Sequence, residues 1–191
     1  MKSTKSIVLI AVALLGGFLA YNSLPQEKIQ EPAPMAIGRI APPEIYPDLN
    51  ITPGAVNPNV NQDTINQTIC NKNWTTKSIR PSSYYTTKLK NQQLLSGYNF
   101  NGDIDPKNYE EDHLISLELG GHPSSTYNLW PESYLTKVDG VLVGARQKDT
   151  VENTLHAEVC HGAITLQRAQ EIIVQDWYAC WLTIRQKQPC L

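Results

Sequence analysis

Four cysteines constrain the fold of this 191-residue chain more than any other residue type, and they are Cys70, Cys160, Cys180 and Cys190. An even number of cysteines in an oxidising compartment predicts two disulfides, for which three pairings exist. We favour Cys70–Cys160 with Cys180–Cys190, because the second bridge would pin a C-terminal tail to the helix before it. No CxxC spacing occurs, which argues against a structural zinc knuckle.

The first 20 residues predict export. Lys2 and Lys5 precede an unbroken apolar run over residues 7–20, which is the pattern of a signal peptide. The run is shorter than the about 20 residues that span a bilayer. Cleavage after Ala20 would leave bulky Phe18 at the −3 position, so an uncleaved signal anchor is the alternative. In both cases we expect a periplasmic or secreted protein, with anchoring to the inner membrane by residues 7–20 left open.

The rest of the chain divides into a tether and one domain. Residues 21–50 are rich in proline and lack helical or strand periodicity, which predicts a flexible tether. Residues 51–191 predict a single α+β domain. A helix is expected from a serine cap at 82 or 83 to about 95, and two more over 145–160 and 165–182.

A strand followed by a return strand is predicted between the first two helices. Apolar and polar residues alternate from His113 to Leu119, which favours a strand with one packed face. Gly120 then begins a broad loop. The return strand is expected to start at Asn128 and to end at Pro131.

Charge is distributed unevenly along the chain. Without residues 1–20, 14 basic residues face 18 acidic ones, and this balance argues against a tight, sequence-independent DNA binder. However, residues 64–102 contain no acid and carry Lys72, Lys77, Arg80, Lys88 and Lys90. Aromatic residues interleave with these cations: Trp74, Tyr84 and Tyr85. The segment suits contact with nucleic-acid phosphates and bases, and an ordinary solvated surface is the alternative.

The sequence YEEDHLISLELGG at 109–121, followed by NLWP at 128–131, carries the strongest functional signal. An Asp-His pair, two glycines and an Asn-Leu pair in this order resemble the HNH (His-Me finger, ββα-metal) endonuclease superfamily. More narrowly, the pattern resembles a group of exported bacterial HNH-type proteins, from about residue 51 to 177. The chain departs from that pattern at Ser116, where proline is frequent, and in a long insertion before the next helix.

The resemblance implies a small ββα-metal core with additional helices, and a metal-dependent endonuclease. His113 would be the general base, since a neutral imidazole accepts a proton near neutral pH. Asp112 would bind the metal, and Asn128 would orient the base. The cofactor would be a divalent metal, Mg²⁺ first, with Mn²⁺, Ca²⁺ or Zn²⁺ as alternatives. The substrate would be a nucleic acid, DNA before RNA, and no protein partner is predicted.

The remaining metal ligand is expected from the 145–160 helix. Asp149, Glu152, Asn153 and His156 share one helical face. Asn153 is the first choice, followed by His156 and then Glu152. The same face would also suit the solvated side of an amphipathic helix.

Two other functions compete with the nuclease. One is a catalytically inactive exported binding module that retains the ββα core. The other is a glycosidase that uses paired carboxylates, with Glu111 or Glu118 as the acid. No flanking aromatic cleft is visible in the sequence for a sugar substrate, which argues against the glycosidase.

Overall fold

The computed structural model describes residues 45–190. The predicted signal and most of the predicted tether lie outside these residues. The helices are α1 (Ser83–Leu95), α2 (Ala145–Cys160) and α3 (Leu166–Arg185). Two antiparallel sheets pair β1 (Tyr109–His113) with β2 (Leu129–Ser133), and β3 (Lys137–Val138) with β4 (Val141–Leu142). The prediction of an α+β domain is therefore confirmed. Over the described range, every helix is too short or too polar to cross a membrane.

The helices lie where the sequence predicts them. The hydroxyl of Ser82 accepts a hydrogen bond from the Tyr85 N–H and caps α1. Thr165 caps α3 in the same way. In α2, the stripe predicted to face the core is buried, and it consists of Val151, Leu155 and Val159. These boundaries follow from local caps and periodicity, so sequence suffices to predict them.

The predicted strand over residues 113–119 is wrong. β1 ends at His113, which pairs with Leu129, and residues 117–119 form a 3₁₀ turn. The predicted end of the return strand at Pro131 is also wrong, because Pro131 pairs with Glu111 inside β2. Proline is tolerated there because each strand of a two-stranded sheet has one edge without a partner strand. The leucines after His113 are buried in the core instead of alternating across a sheet.

The domain begins before residue 51. Ile45 and Tyr46 belong to the core, with 1% and 5% of their surfaces exposed. The indole N–H of Trp177 donates to the Ile45 carbonyl at 3.3 Å. Residues 45–50, which the sequence assigns to the tether, therefore pack as part of the domain.

The cysteines pair as favoured. Cys70 bonds to Cys160, and Cys180 bonds to Cys190. The first bridge ties the segment before α1 to the end of α2, across 90 residues of chain. The second closes 10 residues and holds the C-terminal segment against α3. Two such pairs weakly suggest an oxidising, exported environment.

Candidate active site

A buried lysine on α2, Lys148, forms an ion pair with Asp112, the acidic residue of the Asp-His pair. Side chains alternate along β1, so Asp112 and His113 leave opposite faces of the hairpin. The Lys148 ammonium donates to Oδ2 of Asp112 at 2.6 Å, to the His113 carbonyl at 2.7 Å, and to the Glu152 carboxyl. Lys148 has no exposed surface. All three N–H groups of the ammonium therefore have protein acceptors.

Three carboxyl groups surround this single ammonium. Glu132 on β2 is buried beside Asp112. Burial raises the pKa of Glu132 well above its ordinary value, and the Asp112 charge raises it further. Burial also raises the pKa of Glu152, to about 8, although Lys148 opposes the rise. For Asp112, burial disfavours the charged form, but Lys148 outweighs burial and lowers the pKa. Asp112 is thus the carboxylate that pairs with Lys148 at neutral pH.

His113 is held in one tautomer. Its Nε2 lies 2.8 Å from the Pro123 carbonyl, an acceptor only, so Nε2 carries the proton in the neutral ring. Among the described residues, Nδ1 makes no hydrogen bond and is not fully enclosed. Burial lowers the pKa of His113 below 6.5, although the Pro123 carbonyl and Asp112 oppose the shift. The ring is therefore neutral at pH 7, with Nδ1 as its basic nitrogen.

Asn128 and Gly121 fix the loop that carries Pro123. The Asn128 amide donates to the carbonyls of Ile115 and His122 at 2.9 and 3.1 Å, and its oxygen accepts from the Ile115 N–H at 2.9 Å. A Cβ on Gly121 would lie 1.8 Å from the Ile115 oxygen. Asn128 therefore acts on His113 through the loop, and its side chain bonds to backbone instead of to the imidazole.

One of the predicted nucleic-acid-binding cations reaches the site. Arg80 is exposed, and its guanidinium is close enough to lower the pKa of His113. It also acts on carboxyl groups around the site, and these are Glu110, Glu118 and Asp149. A guanidinium in this position is suited to a phosphate.

The other residues predicted to contact nucleic acid differ in whether their side chains are free to do so. Lys72, Lys77 and Lys88 are exposed. Lys90 has an internal role, because its ammonium donates to the carbonyls of Pro106 and Tyr109 at 2.8 and 2.7 Å. Of the aromatic residues in this segment, Trp74 packs against the core, and the Tyr85 hydroxyl donates to the Ser124 carbonyl. Tyr84 is 78% exposed and open for stacking.

Each predicted metal ligand bonds to another group of the protein. Asn153 is exposed, and its amide donates to the Asp149 carbonyl at 2.7 Å. The His156 Nε2 lies 2.8 Å from the Ile69 carbonyl. Asp112 is bound to Lys148. This donor set, as arranged, does not fit a divalent ion.

His156 lies instead beside a disulfide. Its ring nitrogen and the sulfurs of Cys70 and Cys160 lie within 4.8 Å of one another, as a metal site would require. Both sulfurs are joined in the disulfide, so neither is a thiolate that could bind a metal. The geometry brings potential ligands together but does not identify a cofactor.

Lys148 and Glu132 are the site residues that sequence reasoning missed. A signal for Lys148 is present, because it precedes Val151 by three residues and extends the buried stripe of α2. A lysine in such a stripe must find an acidic partner inside the protein. Glu132 carries no comparable signal, since its burial depends on the strand pairing.

No family model, curated protein or solved structure matches this chain. The resemblance of residues 109–131 to HNH-type endonucleases and the arrangement of the site residues are therefore the two grounds for a functional proposal.

Proposed function

We propose that this protein is an exported endonuclease that cleaves phosphodiester bonds in nucleic acid, with His113 as general base. The observation that carries the proposal is the hydrogen bond from His113 Nε2 to the Pro123 carbonyl. It leaves Nδ1 as the proton acceptor of a ring that burial keeps neutral. A positioned histidine base contributes about 10²- to 10⁴-fold to a rate.

The reaction requires an oxygen nucleophile, a base and a cation for the phosphate. His113 Nδ1 takes the proton of the nucleophile's hydroxyl, and the nucleophile's oxygen bonds to phosphorus. The opposite ester P–O bond breaks, and its electron pair leaves on the sugar oxygen, which takes a proton from water. Arg80 acts electrostatically on His113, and its guanidinium is suited to stabilise the charge that grows on the phosphate oxygens.

The motif also implies a divalent metal, which when bound would polarise the phosphate. Asp112, Asn153 and His156 each bond to another protein group, an arrangement that does not fit such an ion. Lys148 instead fixes Asp112 and the carbonyl of His113. This contact supports a rigid position for the base.

The proposal is tested with the full chain, exported by a bacterial host and purified with both disulfides formed. Plasmid DNA and single-stranded RNA are each incubated with the protein, with and without Mg²⁺. We expect His113→Ala to reduce cleavage by at least about 10²-fold. His161→Ala is the matched control, since His161 is exposed at the end of α2, and should cleave like the wild type. Equal rates for His113→Ala and the wild type would refute the proposal.

A second candidate function is a binding module without catalytic activity. The other bonds of the predicted metal ligands favour it, because an enzyme that depended on those ligands would need them free to bind the ion. A folded wild-type protein that binds labelled nucleic acid, yet cleaves neither DNA nor RNA, would establish this alternative.

A further inference from the structure

A side chain of the protein, and not a metal ion, supplies the positive charge among the acidic residues beside His113. Asp112, Glu132 and Glu152 converge on one charge, the Lys148 ammonium. A divalent ion could bind Asp112 only by displacing this ammonium from a fully buried position. The displaced ammonium would lose its Asp112 partner while buried away from water, which is strongly unfavourable.

Lys148 cannot itself contact a phosphate. Its three N–H groups are all donated to protein acceptors, and none of its surface is exposed. It therefore positions Asp112 and His113 without touching substrate. The His113 imidazole and the exposed Arg80 guanidinium remain available for chemistry on a phosphate.

A base and a guanidinium suit one class of phosphodiester better than another. Hydrolysis of DNA needs an external water, and metal ions usually supply the activation. RNA carries its own nucleophile, the 2′-hydroxyl next to the phosphorus. Intramolecular nucleophiles of this kind reach effective concentrations of about 10⁵ to 10⁸ M, so RNA can be cleaved with base catalysis and charge stabilisation alone.

We propose that the site cleaves single-stranded RNA without a divalent metal ion, by attack of the 2′-hydroxyl; this inference rests on the proposed nuclease function. The 2′-O–H proton passes to Nδ1 of His113, and the 2′ oxygen bonds to phosphorus. The bond from phosphorus to the 5′ oxygen breaks, and that oxygen takes a proton from water. The products are a 2′,3′-cyclic phosphate and a 5′-hydroxyl end.

The surface beside the base suits a single strand. The Tyr85 hydroxyl on α1 donates to the Ser124 carbonyl at 2.7 Å, and Ser124 follows Pro123, the acceptor for His113. The start of α1 therefore adjoins the loop that holds the base. Tyr84 is 78% exposed on this helix, with Lys88 one turn later. This pair could stack on a base and contact a phosphate.

The test uses three matched oligonucleotides in EDTA with the purified full chain: RNA, DNA of the same sequence, and RNA with one 2′-deoxynucleotide. We expect RNA cleavage that added Mg²⁺ leaves unchanged, and no cleavage of the DNA. The single 2′-deoxynucleotide should block cleavage at its own 3′ phosphate. Mass spectrometry should find 2′,3′-cyclic phosphate ends. His113→Ala, purified in parallel, controls for contaminating ribonuclease.

The outcomes separate this inference from the proposed function. Cleavage of DNA or RNA that EDTA abolishes, with no cleavage when His113 is replaced, would overturn the inference and leave the nuclease standing. Products with 5′-phosphate ends would also overturn the inference and leave the nuclease function standing. A folded wild-type protein that cleaves no substrate under any condition would overturn both.

Metal binding gives a readout that does not depend on activity. Mn²⁺ is titrated into the wild-type protein and followed by electron paramagnetic resonance. We expect Asp112→Asn to leave Mn²⁺ binding unchanged, because Lys148 already holds Asp112. Stoichiometric Mn²⁺ binding that this substitution abolishes would overturn the inference. The absence of bound Mn²⁺ in the wild-type titration would support the inference even if Asp112→Asn fails to fold.

Discussion

At the scale of single residues, the chemistry of the site depends on which polar atoms already form hydrogen bonds within the protein. His113 uses Nε2 on the Pro123 carbonyl, and Lys148 uses its whole ammonium on three acceptors. The exposed guanidinium of Arg80 is available to a substrate and also acts on the pKa of His113. This charge makes Arg80 a sensitive probe of the base.

Replacing Arg80 with glutamine should change both the rate and its pH dependence. Arg80 lowers the pKa of His113, so its loss should raise that pKa. The base would then become protonated at higher pH, and the acidic limb of the rate profile should shift towards alkaline pH. Loss of the proposed phosphate contact should reduce the rate by about 10²-fold. Initial rates measured across the acidic limb provide the test.

Arg168→Gln is the control for this experiment, because Arg168 lies on α3 and pairs with Glu171. It should leave the profile unchanged. An unshifted acidic limb in Arg80→Gln would contradict the proposed role of His113 as the titrating base.

Glu111 should make the domain less stable as the pH rises. Burial raises its pKa from 4.5 to about 8, with Lys90 opposing the shift. Both carboxyl oxygens are buried without a hydrogen-bond partner. Between pH 4.5 and about 8 the folded state holds a proton that the unfolded state has lost, so stability falls as the pH rises through this range.

Glu111→Gln removes this titration. The variant should gain melting temperature relative to the wild type as the pH rises, with the largest gain above pH 8. Thermal unfolding followed by circular dichroism at both ends of the range measures the effect. Glu171→Gln, partly exposed on α3, is the control. A pH-independent difference between variant and wild type would show that Glu111 is not a proton-binding group in this range.

At the scale of elements, the loop between β1 and β2 determines where the base lies. Asn128 bonds to both backbone groups of Ile115 and to the carbonyl of His122. Gly121 packs against the Ile115 carbonyl without room for a side chain. The loop can therefore hold Pro123 against His113 only in this packed form.

Gly121→Ala should open the loop. The added Cβ would lie 1.8 Å from the Ile115 oxygen, so the backbone must move, at a cost of about 1–3 kcal/mol. Because the moved loop carries Pro123, cleavage should fall more than the loss of stability explains. Chemical denaturation and cleavage rates on the same preparation measure the two effects.

Gly102→Ala separates steric clash from backbone strain. Gly102 has φ +77°, and a Cβ added there would meet no neighbouring atom within 4 Å, so alanine adds strain alone, about 1–2 kcal/mol. Its cleavage rate should match the wild type. An equal loss of activity in both variants would indicate that the packed loop does not position the base.

At the scale of the whole molecule, the two disulfides should contribute unequally to stability. Cys70–Cys160 spans 90 residues and Cys180–Cys190 spans 10. Loop-closure entropy predicts losses of about 4.6 and about 2.7 kcal/mol when each pair is replaced by alanine. Guanidinium denaturation of the two double variants tests this order. Equal losses would indicate that the unfolded state is already compact around the longer loop.

The sequence by itself determined the α+β class and the three helices, and it favoured one cysteine pairing without excluding the other two. It also identified Asp112, His113 and Asn128 as a group. These features depend on helix caps, periodicity and short motifs, whose physical causes act within a few residues. The sequence did not determine where β1 ends, because an alternating run after His113 is equally compatible with a strand and with a buried turn.

Only the tertiary structure decided which charges meet. Lys148 lies 36 residues from Asp112 in the chain, and Asn153 and His156 share its helix but face other partners. The rotation of α2 against the hairpin selects one of these side chains for Asp112. That rotation follows from packing of the α2 stripe in the core. The stripe predicts which face of α2 is buried, but the acidic residue that meets Lys148 depends on many weak contacts between distant residues, which no local pattern predicts.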